Sequence, residues 1–255
     1  RVLKDYQPPA QICETGRSLA SNVILVIVES LSLYHSHDRL GIMNATPNLD
    51  RLAREGTSWS QFFSNGFTTD HGLIALLGGK TPLPAVNRYH SMEGFRGFEN
   101  LPDSLPNRLG RDGYHTHFFT TGDLSFMAKD QWLKSIGFDA IEGSKHAFYD
   151  GAERFAFGAA HDGMLYERFL DWLSKEGPEG RPYLAVLETV TTHPPFRIPG
   201  TDRQDEQGAF RFADEQLAKF VERLRQRGFF EKGMLLITSD QRALTALRPD
   251  EAKIH

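Results

Sequence analysis

Apolar positions along the chain alternate between two spacings. "NVILVIVES" (22–30) is a run rich in β-branched residues that closes on an acid, which predicts a strand covered on both faces of a parallel sheet. "TPNLDRLAREG" (46–56) has helical spacing, with Thr46 placed as N-cap, Pro47 in the first turn and Gly56 as the stop. "TSWSQFF" (57–63) reads as a strand and residues 69–77 as a short helix. "LPDSLPNRLGRDGY" (101–114) reads as a helix leading into the strand "HTHFFTT" (115–121). An amphipathic helix over "AAHDGMLYERFLDWLSKEG" (159–177) precedes the strand "YLAVLETV" (183–190). A last long helix, "FADEQLAKFVERLRQRG" (212–228), feeds the strand "GMLLITSD" (233–240). This alternation predicts an α/β fold with a mostly parallel central sheet and helices on both faces. The Pro/Gly-rich stretches 80–107 and 193–208 read as long loops over one edge, so the whole of 1–255 is expected to be one domain, with 1–20 as an N-terminal extension or linker.

Composition fits that reading and narrows the partners. With 255 residues, 40% hydrophobic and 24% charged, the chain is long enough to bury one full core. The formal charge is −4 and no long Lys/Arg run occurs, which argues against nucleic acid as a partner. The longest apolar stretch, Val23 to Val28, falls far short of the roughly 20 residues that span a bilayer. A single cysteine, Cys13, rules out an internal disulfide and leaves the compartment open.

In open parallel sheets ligands collect outside the carboxyl ends of the strands. Three polar groups fall there: Glu29-Ser30 after the first strand, Thr191-Thr192-His193 after the strand at 183–190, and Ser239-Asp240-Gln241 after the last. A lone acid after a strand is an ordinary turn or capping residue. Acids ending two separate hydrophobic strands repel if brought together, and a bound divalent cation would relieve that conflict.

These segments, taken in order with "GDLSFMAKDQWLKSIGFD" (122–139) and "TTHPPF" (191–196), resemble the sulfatase-like branch of the alkaline phosphatase superfamily. The likeness is to lipoteichoic acid synthases and related phosphoglycerol transferases, and it covers most of the chain. The resemblance implies one divalent metal held by an acid after the first strand, a nucleophilic threonine and an Asp-His pair near the end. Carried over, these are Glu29, a threonine of "FFSNGFTTDHGLIALLGGKTP" (62–82), and Asp240. In sulfatase-type enzymes the nucleophile opens a helix, with an apolar pair seven and eight positions on, a Gly at ten and a Pro at thirteen. From Thr69 that frame finds Leu76, Leu77, Gly79 and Pro82; from Thr68 it slips by one, although Thr68-Thr69-Asp70 then resembles the Thr-Ser-Asp of lipoteichoic acid synthases. Thr69 is taken as nucleophile and metal ligand, with Thr68 beside it as a substrate contact. A helix N-terminus suits a phosphate, and a metal lowers the hydroxyl pKa. An N-cap role would also explain Thr69 by position.

The same stretch separates chemistries. The Cys/Ser-x-Pro-x-Arg frame that sulfatases need for formylglycine is here Thr69-Asp70-His71-Gly72-Leu73, which argues against sulfate ester hydrolysis. Phosphoethanolamine transferases of the superfamily usually carry several disulfides, which one cysteine cannot supply. The chain also departs from its relatives. Gln241 stands where they have His, which favours Mn, Mg or Ca over Zn, or weakens metal binding. Met127 and Lys129 stand where lipoteichoic acid synthases have Trp and Arg, so Lys129 is a substrate contact of the point-charge kind only. His193 in "TTHPPF" matches the active-site His, whose work would be to bind the transferred phosphate or shuttle a proton. His35, His37, His71, His115 and His117 have no such support and are read as surface or packing residues.

The resemblance thus implies a metal-dependent phosphotransferase. It would move phosphoglycerol from a phospholipid head group, through a covalent threonine intermediate, to a glycan or glycerol-type acceptor. The alternatives are a sulfatase-like phosphodiesterase or sulfatase hydrolase, and a binding domain of the same fold impaired through Gln241. Relatives present this domain on the extracytoplasmic face of the cell membrane behind N-terminal membrane helices, and continue into a smaller C-terminal subdomain. The chain is therefore expected to be an ectodomain cut from its anchor, with the C-terminal subdomain absent.

Overall fold

The computed structural model describes residues 21–59, 61–82 and 94–242. Among the described residues five strands form one sheet: β1 (Asn22–Val28), β2 (His115–Thr120), β3 (Ala140–Glu142), β4 (Tyr183–Glu188) and β5 (Gly233–Ser239), in the order β3-β2-β4-β1-β5. Every pairing is parallel. The carboxyl ends of all five strands therefore lie at one edge.

Side chains alternate across a strand, and here the alternation sorts two cores. Ile24, Val26 and Val28 of β1, with Ala185 and Leu187 of β4, pack under α5 (Asp162–Lys175) and α6 (Glu206–Gln226). Leu49 and Leu52 of α1 (Pro47–Glu55) join that layer. Leu25 and Ile27 of β1, with Leu184 and Val186 of β4, pack on the opposite face. There they meet Leu73, Ile74 and Leu77 of α2 (Thr69–Gly78), Leu105 and Leu109 of α3 (Leu105–Arg111), and Trp132 and Leu133 of α4 (Lys129–Ser135). Carried one step past each strand, the same parity puts Glu29 and Asp240, with Glu188 at the end of β4, on the α2/α4 face.

The expected strands and helices are present, with three differences. Residues 57–59 and 61–63 form no strand: Trp59, Phe62 and Phe63 are exposed, and an apolar run makes a strand only where a sheet edge and a covering layer receive it. The last long helix begins at Glu206 instead of near Phe212, because Asp205 caps it, its Oδ2 accepting from Gly208 N at 2.6 Å. Strand β3 and helix α4 were not assigned from pattern, since each is too short to show a period. Thr46 is the N-cap of α1 by position, but its hydroxyl donates to the His35 carbonyl (3.3 Å) and makes no capping bond.

Candidate functional site

Helix α2 sets the geometry. Its N-cap is Thr68, in extended backbone and with no side-chain capping bond, so Thr69 is the first helical residue. The Thr69 hydroxyl does not cap either. Its Oγ1 donates to Glu29 Oε2 at 3.0 Å, across 40 positions of sequence. The helix is seated by Gly72, where an added Cβ would lie 2.3 Å from the Asp240 carbonyl oxygen. That close approach of backbone to backbone requires glycine, and it locks the first turn of α2 onto the end of β5.

At the end of β1 the chain turns sharply through Ser30, whose φ of 59° lies in the left-handed region. For a serine this costs roughly 1–2 kcal/mol. Buried bonds hold it: Ser30 Oγ donates to Glu29 Oε1 (2.7 Å) and Ser30 N donates to Asp240 Oδ1 (3.1 Å). Gln241 N also donates to Asp240 Oδ1 (2.8 Å), while Gln241 Nε2 donates to Glu29 Oε1 (3.1 Å). The two acids therefore share a buried corner. Burial and the neighbouring Glu29 charge push the Asp240 carboxyl well above the usual carboxylate range, against the pull of the two backbone N–H groups.

Two oxygens of this corner have no partner: Asp240 Oδ2 and Gln241 Oε1 are buried without a hydrogen bond. An orphaned buried oxygen is costly, and two beside a pair of carboxylates fit a cation. Among the described residues no group of three or more His, Cys, Asp and Glu side chains is placed to hold a metal ion. The donors that fit are instead two carboxylates, a hydroxyl and an amide oxygen, an all-oxygen set suited to a hard ion.

Strand β4 contributes a residue that sequence reading passed over. Glu188 is buried and receives Lys129 Nζ on both oxygens, at 2.7 and 2.8 Å. Its signal was available, since it ends a fully apolar strand as Glu29 does, but the Thr191-Thr192-His193 triplet beyond it drew the reading. Lys129 thus stands as half of an ion pair. The two residues before it, Met127 and Ala128, have φ of 55° and 53°, a strained stretch of the kind that collects at functional sites. An added Cβ on Gly94 would lie 2.3 Å from Met127 Cε and 2.9 Å from Asp70 Oδ2, so this segment borders the first turn of α2.

His193 sits beside the corner and outside its bonding network. Thr192 Oγ1 donates to the Glu29 carbonyl (2.6 Å), which ties the turn to β1. The His193 ring meets Phe157 edge-on at 4.7 Å, and its Nδ1 lies 2.6 Å from the Pro194 carbonyl. A carbonyl only accepts, so Nδ1 carries the hydrogen and Nε2 is the free nitrogen. The structure thus joins Thr69, Glu29, Asp240 and Gln241 by direct contacts or through one shared partner. It pairs Lys129 with Glu188, and Thr68 supplies the cap position.

A sequence profile of the sulfatase family matches residues 21–246. The chain belongs to the sulfatase family. Within that family it is similar to phosphoglycerol transferase I of Xanthomonas euvesicatoria pv. vesicatoria (strain 85-10), 26% identical over 264 residues that cover 95% of this chain and 36% of that protein. It is also similar to the lipoteichoic acid synthase of Staphylococcus saprophyticus, 24% identical over 251 residues, covering 88% of this chain and 36% of the relative. The sulfatase-family chain thus spans little more than a third of the length of these curated relatives. Among solved structures, a lipoteichoic acid synthase from Listeria monocytogenes superposes with a TM-score of 0.74 at 24% identity, over 89% of this chain and 58% of that one. This likeness shows the fold, the parallel α/β sheet described above.

Proposed function

We propose that this sulfatase-family chain is a metal-dependent phosphotransferase that takes a phosphoglycerol unit from a phospholipid head group through a covalent intermediate on Thr69. One observation carries the reading: the hydroxyl at the N-terminus of α2 is held on Glu29, next to two buried oxygens without partners. The two relatives named phosphoglycerol transferase and lipoteichoic acid synthase support the group transferred.

Thr69 Oγ1 would attack phosphorus. The bond from phosphorus to the lipid oxygen breaks, diacylglycerol leaves with a proton, and glycerophosphoryl-threonine remains. An acceptor hydroxyl of a glycan or glycerol-type molecule, or water, then attacks phosphorus and frees the threonine. Glu29, Asp240, Gln241 Oε1 and the Thr69 hydroxyl would hold one divalent ion, Mn, Mg or Ca in preference to Zn. When bound, it activates the hydroxyl and offsets charge on the transferring phosphoryl group. Glu29 orients the hydroxyl at Oγ1. The first-turn N–H groups of α2 face the incoming phosphate. His193, with Nε2 free, handles the proton of the leaving or attacking oxygen. Lys129, held by Glu188, presents its ammonium as a point charge, and Thr68 lines the entry.

A phospholipid head group as donor fits a site that works at the extracytoplasmic face of a membrane. Among the described residues no helix is long and apolar enough to cross one. The Thr69-Asp70-His71-Gly72-Leu73 frame weighs against sulfate ester hydrolysis. A second reading, a binding domain with lost turnover, is favoured only by Gln241 in place of His.

The test is hydrolysis of a chromogenic phosphodiester with and without Mn. Thr69→Ala is expected to lower turnover by about a thousandfold or more with an unchanged fold, and Thr68→Ala only mildly. An active Thr69→Ala with a dead Thr68→Ala would move the nucleophile by one residue.

A further inference from the structure

The loop that delivers Thr69 has an unusual surface. Trp59, Phe62, Phe63 and Phe67 fall within nine consecutive positions and are 56–80% exposed. Loops over a protein surface are ordinarily polar and turn-rich. A lone exposed aromatic needs no explanation, but four in one loop do. The run from Gly56 to Thr69 also contains no Asp, Glu, Lys, Arg or His. On the connections leaving β2 and β3, Phe126 and Phe157 are each 39% exposed and lie 4.9 Å apart, with Phe157 against the His193 ring. Aromatics are thus presented on several of the connections that leave the strand ends where the candidate site lies.

We propose that Trp59, Phe62, Phe63 and Phe67 seat in the interfacial layer of a lipid bilayer, among the head groups and upper acyl chains, and so hold the N-terminus of α2 at the lipid surface. Trp and Phe on an uncharged stretch suit that layer. The stretch is uncharged along its own length, and Arg39 reaches it at Ser58 Oγ (2.6 Å), beside Trp59. The chain carries no basic stretch and a net charge of −4, so the attraction is apolar and not electrostatic. The inference rests on the lipid-head-group reading for its purpose; its test reads binding and is independent of turnover.

The chain reports on itself, because it has three tryptophans and the other two, Trp132 and Trp172, are 2% and 3% exposed. A lipid-dependent change in emission therefore belongs to Trp59. The experiment mixes the chain with vesicles of phosphatidylcholine alone, or with phosphatidylglycerol added, some with brominated acyl chains, and follows emission and co-sedimentation. A blue shift, quenching by the brominated chains, and weak dependence on salt and on anionic lipid are expected. Phe62→Ser with Phe63→Ser should lower the bound fraction at least about tenfold. It should also reduce turnover on vesicle-borne lipid while sparing a soluble phosphodiester. Thr69→Ala should bind vesicles like the parent, which separates loss of the surface from loss of the chemistry. Unchanged emission with both vesicle types would overturn the proposal. So would binding confined to anionic vesicles and indifferent to the Phe substitutions. An emission shift that follows protein concentration without lipid would assign the loop to a second copy of the chain instead.

Discussion

Two acid clusters lie buried on opposite faces of the same sheet, and they are built differently. On the α5 face, Glu142 of β3 receives Arg168 through paired bonds, Nε to Oε2 at 2.8 Å and Nη2 to Oε1 at 2.9 Å, with His117 Nε2 at 3.2 Å. Arg168 is 1% exposed and also reaches Glu176 at 3.0 Å. Burial would raise the Glu142 pKa, but the bonds from His117 and Arg168 outweigh it and hold the carboxyl at about 2. On the α2 face, Glu29 and Asp240 meet with no cationic side chain among the described residues bonded to either, and the Asp240 carboxyl is pushed up. In the first cluster the charge is matched within the protein, with one guanidinium on both oxygens of Glu142. The second repels itself and leaves two oxygens open, which supports the proposal of a cation there. Ion pairing on its own is therefore a poor sign of function; buried charge of one sign left unmatched is the better one.

The sharpest break of this comparison is Arg168→Met, which keeps the packed stem and leaves Glu142 buried without its partner. A loss of about 3–5 kcal/mol in urea unfolding is expected, with turnover per folded molecule unchanged because the cluster faces away from the site. Acid provides the next. The folded value of Glu142 lies below its ordinary 4.5, so the unfolded chain takes up the proton first as pH falls. The contribution is full above about 4.5 and is lost as pH falls toward 2, by on the order of 3 kcal/mol. Glu142→Gln should flatten that part of the stability profile.

The other cluster should respond with the opposite sign. Asp240→Asn removes a repelling charge and is expected to raise stability by roughly 1 kcal/mol in the absence of metal. Added Mn should then raise the melting temperature of the parent and not of the variant; equal stabilisation of both would remove Asp240 as a ligand. Gln241→His should give the smallest effect, roughly tenfold tighter Zn or Mn binding by isothermal titration. If the native ion is Mg or Ca, the His variant should instead lose activity with it. Unchanged affinity for every ion would place Gln241 outside the coordination.

Much of this was legible in the chain. The strand "NVILVIVES" ends on Glu29 and "GMLLITSD" on Asp240, and parity fixes which neighbours share each acid's face within its own strand; that the two faces coincide comes from the register, which sets Val28 opposite Ser239. Counting from Thr69 found the residue whose hydroxyl lies 3.0 Å from Glu29, since helix phase is a local property. The aromatics of 57–63 read as a strand because they carry β-propensity wherever they stand, while 57–59 and 61–63 form none in the fold. Glu188 was passed over because its importance comes from Lys129, 59 residues away.

The sequence by itself determined the alternation of strands and helices, which side chains share a face, and which acids end strands, because periods of 2 and 3.6 residues follow from backbone geometry alone. Only the tertiary structure decided that β1 lies between β4 and β5, and with it that Glu29 meets Asp240 across 211 positions of chain. The same holds for Gly72 bringing α2 onto the Asp240 backbone. Neither is a local property: strand order and helix seating are set by which apolar faces bury each other, and that is settled among all the elements at once.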